Sequence, residues 1–392
     1  MMEKSNLMDL YRTEKIDLNF SVNQRLASLS KWNDEFEQED KVLAMKSRSL
    51  NPENKTDNQL GQQIAAYRRV LRQKQVMYPL EIEQEYVREV GYQKIREHLR
   101  QQFVGLTKEQ KLLWLNNFLF IMTPDLRELC SKIFRIRAYR SLGQQRCFLL
   151  GGPSGMGKTT FLTWYQFHSL PIVSEEKNII PVIRINAQVS NKSAKVLYRR
   201  IISAAGATYY ASDDEDELLG QVIMIIDNCD VELLIIDEVE HIRTHEMRRK
   251  ILEISNLTRG IPIICASCNP VRWAEGDEEV QGRWNDFFYL EPYHGLRLKQ
   301  LLAYIELLLP FPNSSNLPLL VENDQKGRKK SNNDNCNLIQ SLTKGILRDI
   351  MVLIHDACEK AILNDMPNIS EDLIRTTWGD IQKKSITNDM FE

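Results

Sequence analysis

The stretch from Cys147 to Thr160, CFLLGGPSGMGKTT, restricts the possible folds more than any other part of the chain. Cys147-Phe148-Leu149-Leu150 is an apolar run of strand length. It feeds Gly152-Pro153-Ser154-Gly155-Met156-Gly157-Lys158-Thr159, which satisfies G-x-x-x-x-G-K-[ST] at each fixed position, and Phe161-Leu162-Thr163-Trp164-Tyr165 then opens a helix. Strand, glycine-rich turn and helix in that order is the setting a phosphate-binding loop needs. Glycines let the backbone wrap closely around an anion, and successive N–H groups converge on it at the helix N-terminus. Lys158 is placed to reach the β- and γ-phosphates, and the Thr159 hydroxyl to ligate Mg²⁺. Gly152 to Thr160 are therefore the expected seat of a nucleoside triphosphate.

Downstream, strands and helices alternate. IIPVIRINA (179–187), IPIICA (261–266) and DFFYLEP (286–292) read as strands, and VELLIIDEVEHI (231–242) as a strand running into a helix. SAKVLYRRIISAAG (193–206), SDDEDELLGQVIMIIDNCD (212–230) and HEMRRKILEISNLTRG (245–260) read as helices between them. That order predicts an α/β core with a parallel sheet, its ligand at the C-terminal ends of the strands. Leu233-Leu234-Ile235-Ile236-Asp237-Glu238 ends one such strand in two acids. Asp237 is placed to hold Mg²⁺, and Glu238 to orient and deprotonate an attacking water. The alternative is two solvated acids opening a helix.

The flanks are helical in pattern. Residues 1–60 are polar and expected to be partly disordered, and 51–63 reads as a linker. A helix from Ile64 breaks at Tyr78-Pro79, LEIEQEYVREVGYQKIREHLRQQF (80–103) continues as helix, and LTKEQKLLWLNNFLFIM (106–122) follows with Thr107 as N-cap and Glu109 or Gln110 near the capping-box position. Thr123-Pro124 opens another helix that Gly143 ends. The expected division is an all-helical extension over 1–125, an α/β nucleotide-binding core over 126–293, and a helical lid and tail over 294–392. The polar stretch 313–336 within the lid is expected to be a disordered insertion.

Composition narrows the function classes. The chain has 392 residues, 43% hydrophobic and 27% charged, with a net charge of −2, which excludes a strongly basic, histone-like protein. No apolar run approaches the length of a membrane span and MMEKSNLMDLYR lacks a secretory core, so a cytoplasmic protein with no membrane association is expected. Seven scattered cysteines suit reduced thiols. Cys265 and Cys268 form a C-x-x-C on a strand end, where they point to opposite faces, and His241 and His245 lie four apart on an expected helix; neither pair has further ligands nearby.

From the phosphate-binding loop, the Asp-Glu strand, the polar residues after IPIICA and the lid segment Gly345-Ile346-Leu347-Arg348, the chain resembles the AAA+ ATPases. The resemblance implies that Ser267 or Asn269, Asn269 being favoured, senses the γ-phosphate, and that Arg348 couples lid position to it; a helix-surface arginine is the alternative for the latter. A narrower likeness is to TnsC/TniB-type transposition regulators. It rests on Asp277-Glu278-Glu279-Val280-Gln281-Gly282-Arg283-Trp284, similar to an Asp-Glu-x-Val-x-x-Arg-aromatic segment after the fourth strand of that family. By it, Arg283 is an arginine finger inserted into a neighbouring subunit's site; the alternative is a local pair with Glu278 or Asp286.

The resemblance implies an ATP- and Mg²⁺-dependent homo-oligomer, ring or helical filament, that assembles on double-stranded DNA without sequence preference. It would link target-selection proteins to the transposase, with hydrolysis driving disassembly. Lys192, Lys195, Arg199 and Arg200, then Arg243, Arg248 and Arg249, are the candidate phosphate contacts. An Orc/Cdc6-type initiator or loader, and a signalling scaffold that oligomerises without DNA, are the competing readings. A DNA-reading domain after the lid would mark the initiator, and the sequence beyond Leu363 is expected to be too short for one.

Overall fold

The computed structural model describes residues 14–51, 60, 61, 64, 65, 68, 80–117, 121–140, 147–169, 172–173, 178–187, 193–275, 278–284, 286–318 and 335–389. A two-residue strand, β1 (Glu14–Lys15), precedes a long helix, α1 (Val22–Ser49), so the polar stretch expected to be partly disordered holds a helix. Ser21 caps it by accepting the Gln24 N–H. The linker at 51–63, the helix from Ile64 and the break at Tyr78-Pro79 fall largely outside the described residues.

The single helix expected over 80–103 is instead β2 (Leu80–Glu81), α2 (Gln84–Val90) and α3 (Tyr92–Val104). Gly91 divides the helices at φ 92°, a backbone region that a side chain would disfavour. α4 (Lys108–Asn117) has the expected capping box: Gln110 N–H donates to Thr107 Oγ1, and Thr107 N–H donates to Gln110 Oε1. Ile121–Met122 is β3 rather than the end of that helix, and α5 (Pro124–Arg140) follows; Gly143 lies outside the described residues. β1, β2 and β3 pair in parallel, so the N-terminal region is not wholly helical. Two-residue strands carry too little alternation to be read from sequence.

The core comprises β4 (Cys147–Gly151), α6 (Lys158–Phe167), a small hairpin β5 (Ile172–Val173) and β6 (Asn178–Ile179), β7 (Val182–Asn186), α7 (Ala194–Ala204), α8 (Glu215–Asn228), β8 (Leu233–Asp237), α9 (His245–Leu257), β9 (Ile263–Ala266), α10 (Pro270–Ala274), α11 (Glu278–Arg283) and β10 (Asp286–Tyr289). The sheet order is β10-β4-β9-β8-β7, all parallel. Alternate residues bury into different layers: Phe148 and Leu150 join α6 and the lid, whereas Cys147 and Leu149 join the residues of α7, α8 and α9. Both faces are covered, which is why these strands read as continuous apolar runs. His241 ends a single 3₁₀ turn and His245 starts α9, so the two do not share the expected helix. Cys265 is buried and Cys268 exposed, both as free thiols.

The lid holds α12 (Gly295–Leu308), α13 (Asn335–Thr343), α14 (Leu347–Leu363) and α15 (Glu371–Asp389). Within the expected insertion, 319–334 lies outside the described residues. Among the described residues no helix is long and apolar enough to cross a membrane.

The N-terminal region docks on the lid. Trp114 Nε1–H donates to the Leu308 carbonyl at 2.7 Å, and Tyr92 Oη–H to that of Ala303 at 3.0 Å. Between them Arg96 Nη2 meets Glu306 Oε1 at 3.1 Å, with side chains 8% and 3% exposed. Burial pushes the Glu306 carboxyl up, against the pull of Arg96, the Leu317 N–H, the Ser314 hydroxyl and the Ser315 N–H. Arg96→Ala strands that acid, which should destabilise the protein by about 3–5 kcal/mol at neutral pH in chemical denaturation. Without its counter-charge the Glu306 pKa rises further above the unfolded value. The loss should therefore shrink as pH falls toward the unfolded pKa of glutamate, and Glu306→Gln in the same chain should recover part of it.

Candidate nucleotide site

β4, β7 and β8 end at one edge of the sheet, because Asn186 is paired with Asp237 and the Ser267 N–H, just after β9, donates to the Leu150 carbonyl at 3.0 Å. The glycine-rich loop leaves β4 at that edge. Gly152 stands at φ 141°, and a Cβ there would lie 2.6 Å from the Leu290 carbonyl oxygen. Gly155, at φ 84°, has Ile346 and Arg348 of the lid against the place a Cβ would occupy. Gly157 caps α6, whose first N–H groups have no partner within the helix and are the donors an anion would take. Lys158 is buried, its Nζ donating to the Gly152 and Pro153 carbonyls at 2.5 and 3.0 Å.

Loop, strand ends and lid enclose a cavity of about 460 Å³, in the size range of nucleotide pockets. Its polar end holds Lys158, Thr159, Thr160, Asp237, Glu238, Ser267 and Arg348; Ser154, Gly155, Met156 and Gly157 also line it. Asp237 is 2% exposed, and its Oδ2 accepts the Thr159 hydroxyl at 3.0 Å. Its Oδ1 accepts the Glu238 N–H at 3.1 Å. A hydroxyl and a carboxylate side by side are the hard oxygen donors that magnesium takes, so these residues fit that ion. Glu238 is in left-handed backbone at φ 59°, unusual for glutamate, and its side chain reaches the cavity rather than the core.

Of the two sensor candidates, Ser267 lines the cavity and Asn269 does not. Asn269 Oδ1 instead accepts the Arg272 N–H at 3.2 Å and caps α10, so the favoured candidate is occupied in starting a helix. Arg348 does lie at the cavity: its backbone N–H donates to the Gly155 carbonyl at 2.8 Å, tying the lid to the loop. Gly345, three residues before, permits this, since a Cβ there would be 2.0 Å from the Tyr293 carbonyl oxygen.

Arg283 is elsewhere. Asp286 pairs with Phe148, so β10 begins where β4 begins, at the end of the sheet away from the loop. Its charge is felt by Cys147, the first residue of β4, whose thiol burial pushes up to about 12. Arg283 is exposed and, among the described residues, makes no ion pair with Glu278 or Asp286, while Val280 and Trp284 on either side are buried, Trp284 edge-on to Trp273 at 5.4 Å. Helix α11 thus anchors two apolar side chains and presents the arginine outward.

The candidate DNA contacts divide. Lys192 lies outside the described residues. Lys195 Nζ donates to the Asp213 carbonyl, Arg199 Nη2 to that of Ala211, and Arg200 Nη1 to that of Asn186. Arg248 requires correction. It is buried over the Trp273 ring and donates to the Glu275 and Arg243 carbonyls, so it holds the fold rather than facing a duplex. Arg243 and Arg249 are exposed.

Sequence reasoning missed the apolar part of the cavity lining, where Ile121 of β3 and Leu126 of α5 join Leu301, Leu347 and Met351 from the lid. These suit the flat face of a base. It also missed Arg184 of β7, which binds Asp237 Oδ2 at 3.0 Å.

Residues 111–292 match the family model described as "Bacterial TniB protein". No curated protein matches the sequence. Among solved structures, the chain is similar to Cdc6p from Pyrobaculum aerophilum at 14% identity, covering 65% of this chain and 66% of that one, just under two thirds, with a TM-score of 0.46. It is also similar to the Aeropyrum pernix ORC1 protein, solved in complex with DNA, at 15% identity and 69% coverage of each chain, TM-score 0.47. The Aeropyrum pernix ORC2 protein matches at 16% identity over 65% of this chain and 68% of that one, TM-score 0.43.

Proposed function

We propose that the protein is an ATP-driven switch in DNA transposition, a reading supported by the match of residues 111–292 to the family model described as "Bacterial TniB protein". Bound to ATP it assembles with further copies on double-stranded DNA, joins a target-selection protein to the transposase, and comes apart after hydrolysis. The observation that carries the reading is the separation of parts. Glu238 and Arg348 line the candidate nucleotide cavity, while Arg283, in no ion pair among the described residues, stands at the far end of the same sheet. An arginine so placed lies away from its own chain's cavity, which supports the reading that it serves a neighbour's site.

In this mechanism the α6 N-terminus and Lys158 hold the phosphates. Thr159 and Asp237 hold magnesium, which when bound neutralises charge on the phosphate oxygens. Glu238 takes a proton from a water molecule as the water oxygen bonds to the γ-phosphorus, and the bond from that phosphorus to the bridging oxygen breaks, its electron pair leaving with ADP. Ser267 is the polar side chain placed to sense the γ-phosphate, and Arg348 carries its state to the lid. Arg283 of the adjacent copy stabilises the charge developing on the transferred group. Arg243 and Arg249 are the proposed contacts to DNA phosphates.

The test is fluorescence anisotropy of a labelled random-sequence duplex with protein and ATP, ADP or a non-hydrolysable analogue. Tight binding with ATP or analogue and little with ADP is expected. Absence of nucleotide-dependent binding at low salt would favour the scaffold that assembles without DNA. Lys158→Ala should weaken nucleotide binding about 10- to 100-fold by equilibrium titration, as loss of a charged donor implies. Unchanged affinity and turnover in that variant would remove the loop from the site.

A further inference from the structure

Arg184 lies in β7, a strand of a sheet covered on both faces, where a guanidinium is out of place. Its side chain is 9% exposed. Nη2 donates to Asp237 Oδ2 at 3.0 Å and Nη1 to Thr163 Oγ1 at 2.5 Å. The same carboxylate oxygen accepts the Thr159 hydroxyl, so one threonine and the arginine share a single acid, and a second threonine one turn along α6 holds the arginine. Arg184 Nε is buried without a hydrogen-bond partner. A buried pair with an unsatisfied donor is a poor stabiliser, and an apolar side chain would serve the strand as well or better. The arginine's place is better explained by what it does to Asp237.

We propose that Arg184 is a positioning residue for the metal-holding acid. It pins the Asp237 carboxylate against α6, and its charge lowers the hold of that carboxylate on a divalent cation. The inference rests on the reading of Asp237 as the magnesium-binding acid. An oxygen already bonded to a guanidinium offers a cation less negative charge, and a positive group within a few ångströms repels the ion directly. A cation alone meets a partly neutralised site, and the triphosphate supplies the charge that is lacking. Metal and nucleotide then enter together, and metal by itself binds weakly. The clamp is a second, separable effect: the bond to Thr163 fixes where the guanidinium, and through it the carboxylate, sits.

The experiment uses the full chain and four variants. The affinity of a fluorescent ATP analogue is titrated against Mg²⁺, and melting temperature is recorded with Mg²⁺ alone. In Arg184→Gln the Mg²⁺ concentration that half-saturates analogue binding should fall about tenfold, and Mg²⁺ alone should raise the melting temperature, which it should not do in the parent. Arg184→Lys keeps the charge and should keep the parent's Mg²⁺ midpoint. Thr163→Val should also keep that midpoint while turnover drops. A midpoint unmoved in Arg184→Gln, or one that moves equally in Arg184→Lys, overturns the proposal; should the Gln variant not fold, a lowered midpoint in Thr163→Val overturns it instead. Asp237→Asn separates the two levels. If it leaves the Mg²⁺ dependence intact, the metal reading itself fails; if it raises the midpoint while Arg184→Gln does not move it, the role of Arg184 alone fails.

Discussion

Glu238→Gln should bind nucleotide with nearly the parent affinity and lose about 10²- to 10⁴-fold in turnover, the range that removal of a general base spans. The amide matches the carboxylate in shape, so the left-handed turn at Glu238 and the bond from its N–H to Asp237 should persist. What is removed is only the capacity to accept a proton from water. If hydrolysis ends the assembly, as proposed, assemblies formed with ATP should therefore outlast those of the parent. Single-turnover hydrolysis and the lifetime of the nucleotide-dependent DNA complex measure the two halves. Glu240 also lines the cavity and is the control. Should Glu238→Gln turn over normally and Glu240→Gln not, the base is Glu240.

That two neighbouring acids must be distinguished by experiment reflects what the sequence shows and what only packing shows. Gly152 to Thr159, Asp237 and the lid segment from Gly345 were legible because each feature is local: a turn, a strand end, a helix start, each written within a few residues. The sheet was legible for the same reason, through apolar runs of strand length separated by capped helices. The apolar part of the cavity lining was not. Ile121 and Leu126 lie far from Leu347 and Met351 in sequence, and only docking of the N-terminal region on the lid brings them together. Ser267 against Asn269 turned on where β9 stops. The strand ends at Ala266 and Asn269 is taken up as a cap, so a two-residue difference moves one side chain into the site and the other out. Arg248 misled because a basic residue on a helix is usually solvated, whereas here an indole lies beneath it and two carbonyls receive it. Arg184 did leave a signal, a charge within the apolar run VIRIN, but its partner, Asp237, becomes visible only when β7 and β8 are side by side.

Arg283→Ala should have little effect on folding or on nucleotide binding by isolated subunits, and a large one on turnover in the assembly. The side chain is exposed and, among the described residues, makes no ion pair with Glu278 or Asp286, so truncation strands no described buried partner, and Val280 and Trp284 continue to anchor this segment. Surface changes of that kind alter stability by about 0.5 kcal/mol or less. Hydrolysis stimulated by DNA and ATP should fall by about 10³- to 10⁵-fold, the scale on which a cation at the transferring phosphoryl group acts. A finger acting on the neighbouring subunit, as proposed, predicts a particular result in mixtures. A subunit with Arg283→Ala has an intact cavity but nothing to offer its neighbour, and one with Lys158→Ala has a defective cavity but an intact arginine. Mixed together, the two should restore part of the activity that each lacks, through interfaces where an intact cavity meets an intact arginine. If Arg283 acted within its own chain, no such interface would exist and mixing would restore nothing. The same outcome would follow if its effect were on folding, and melting temperatures of the single variants separate those two explanations.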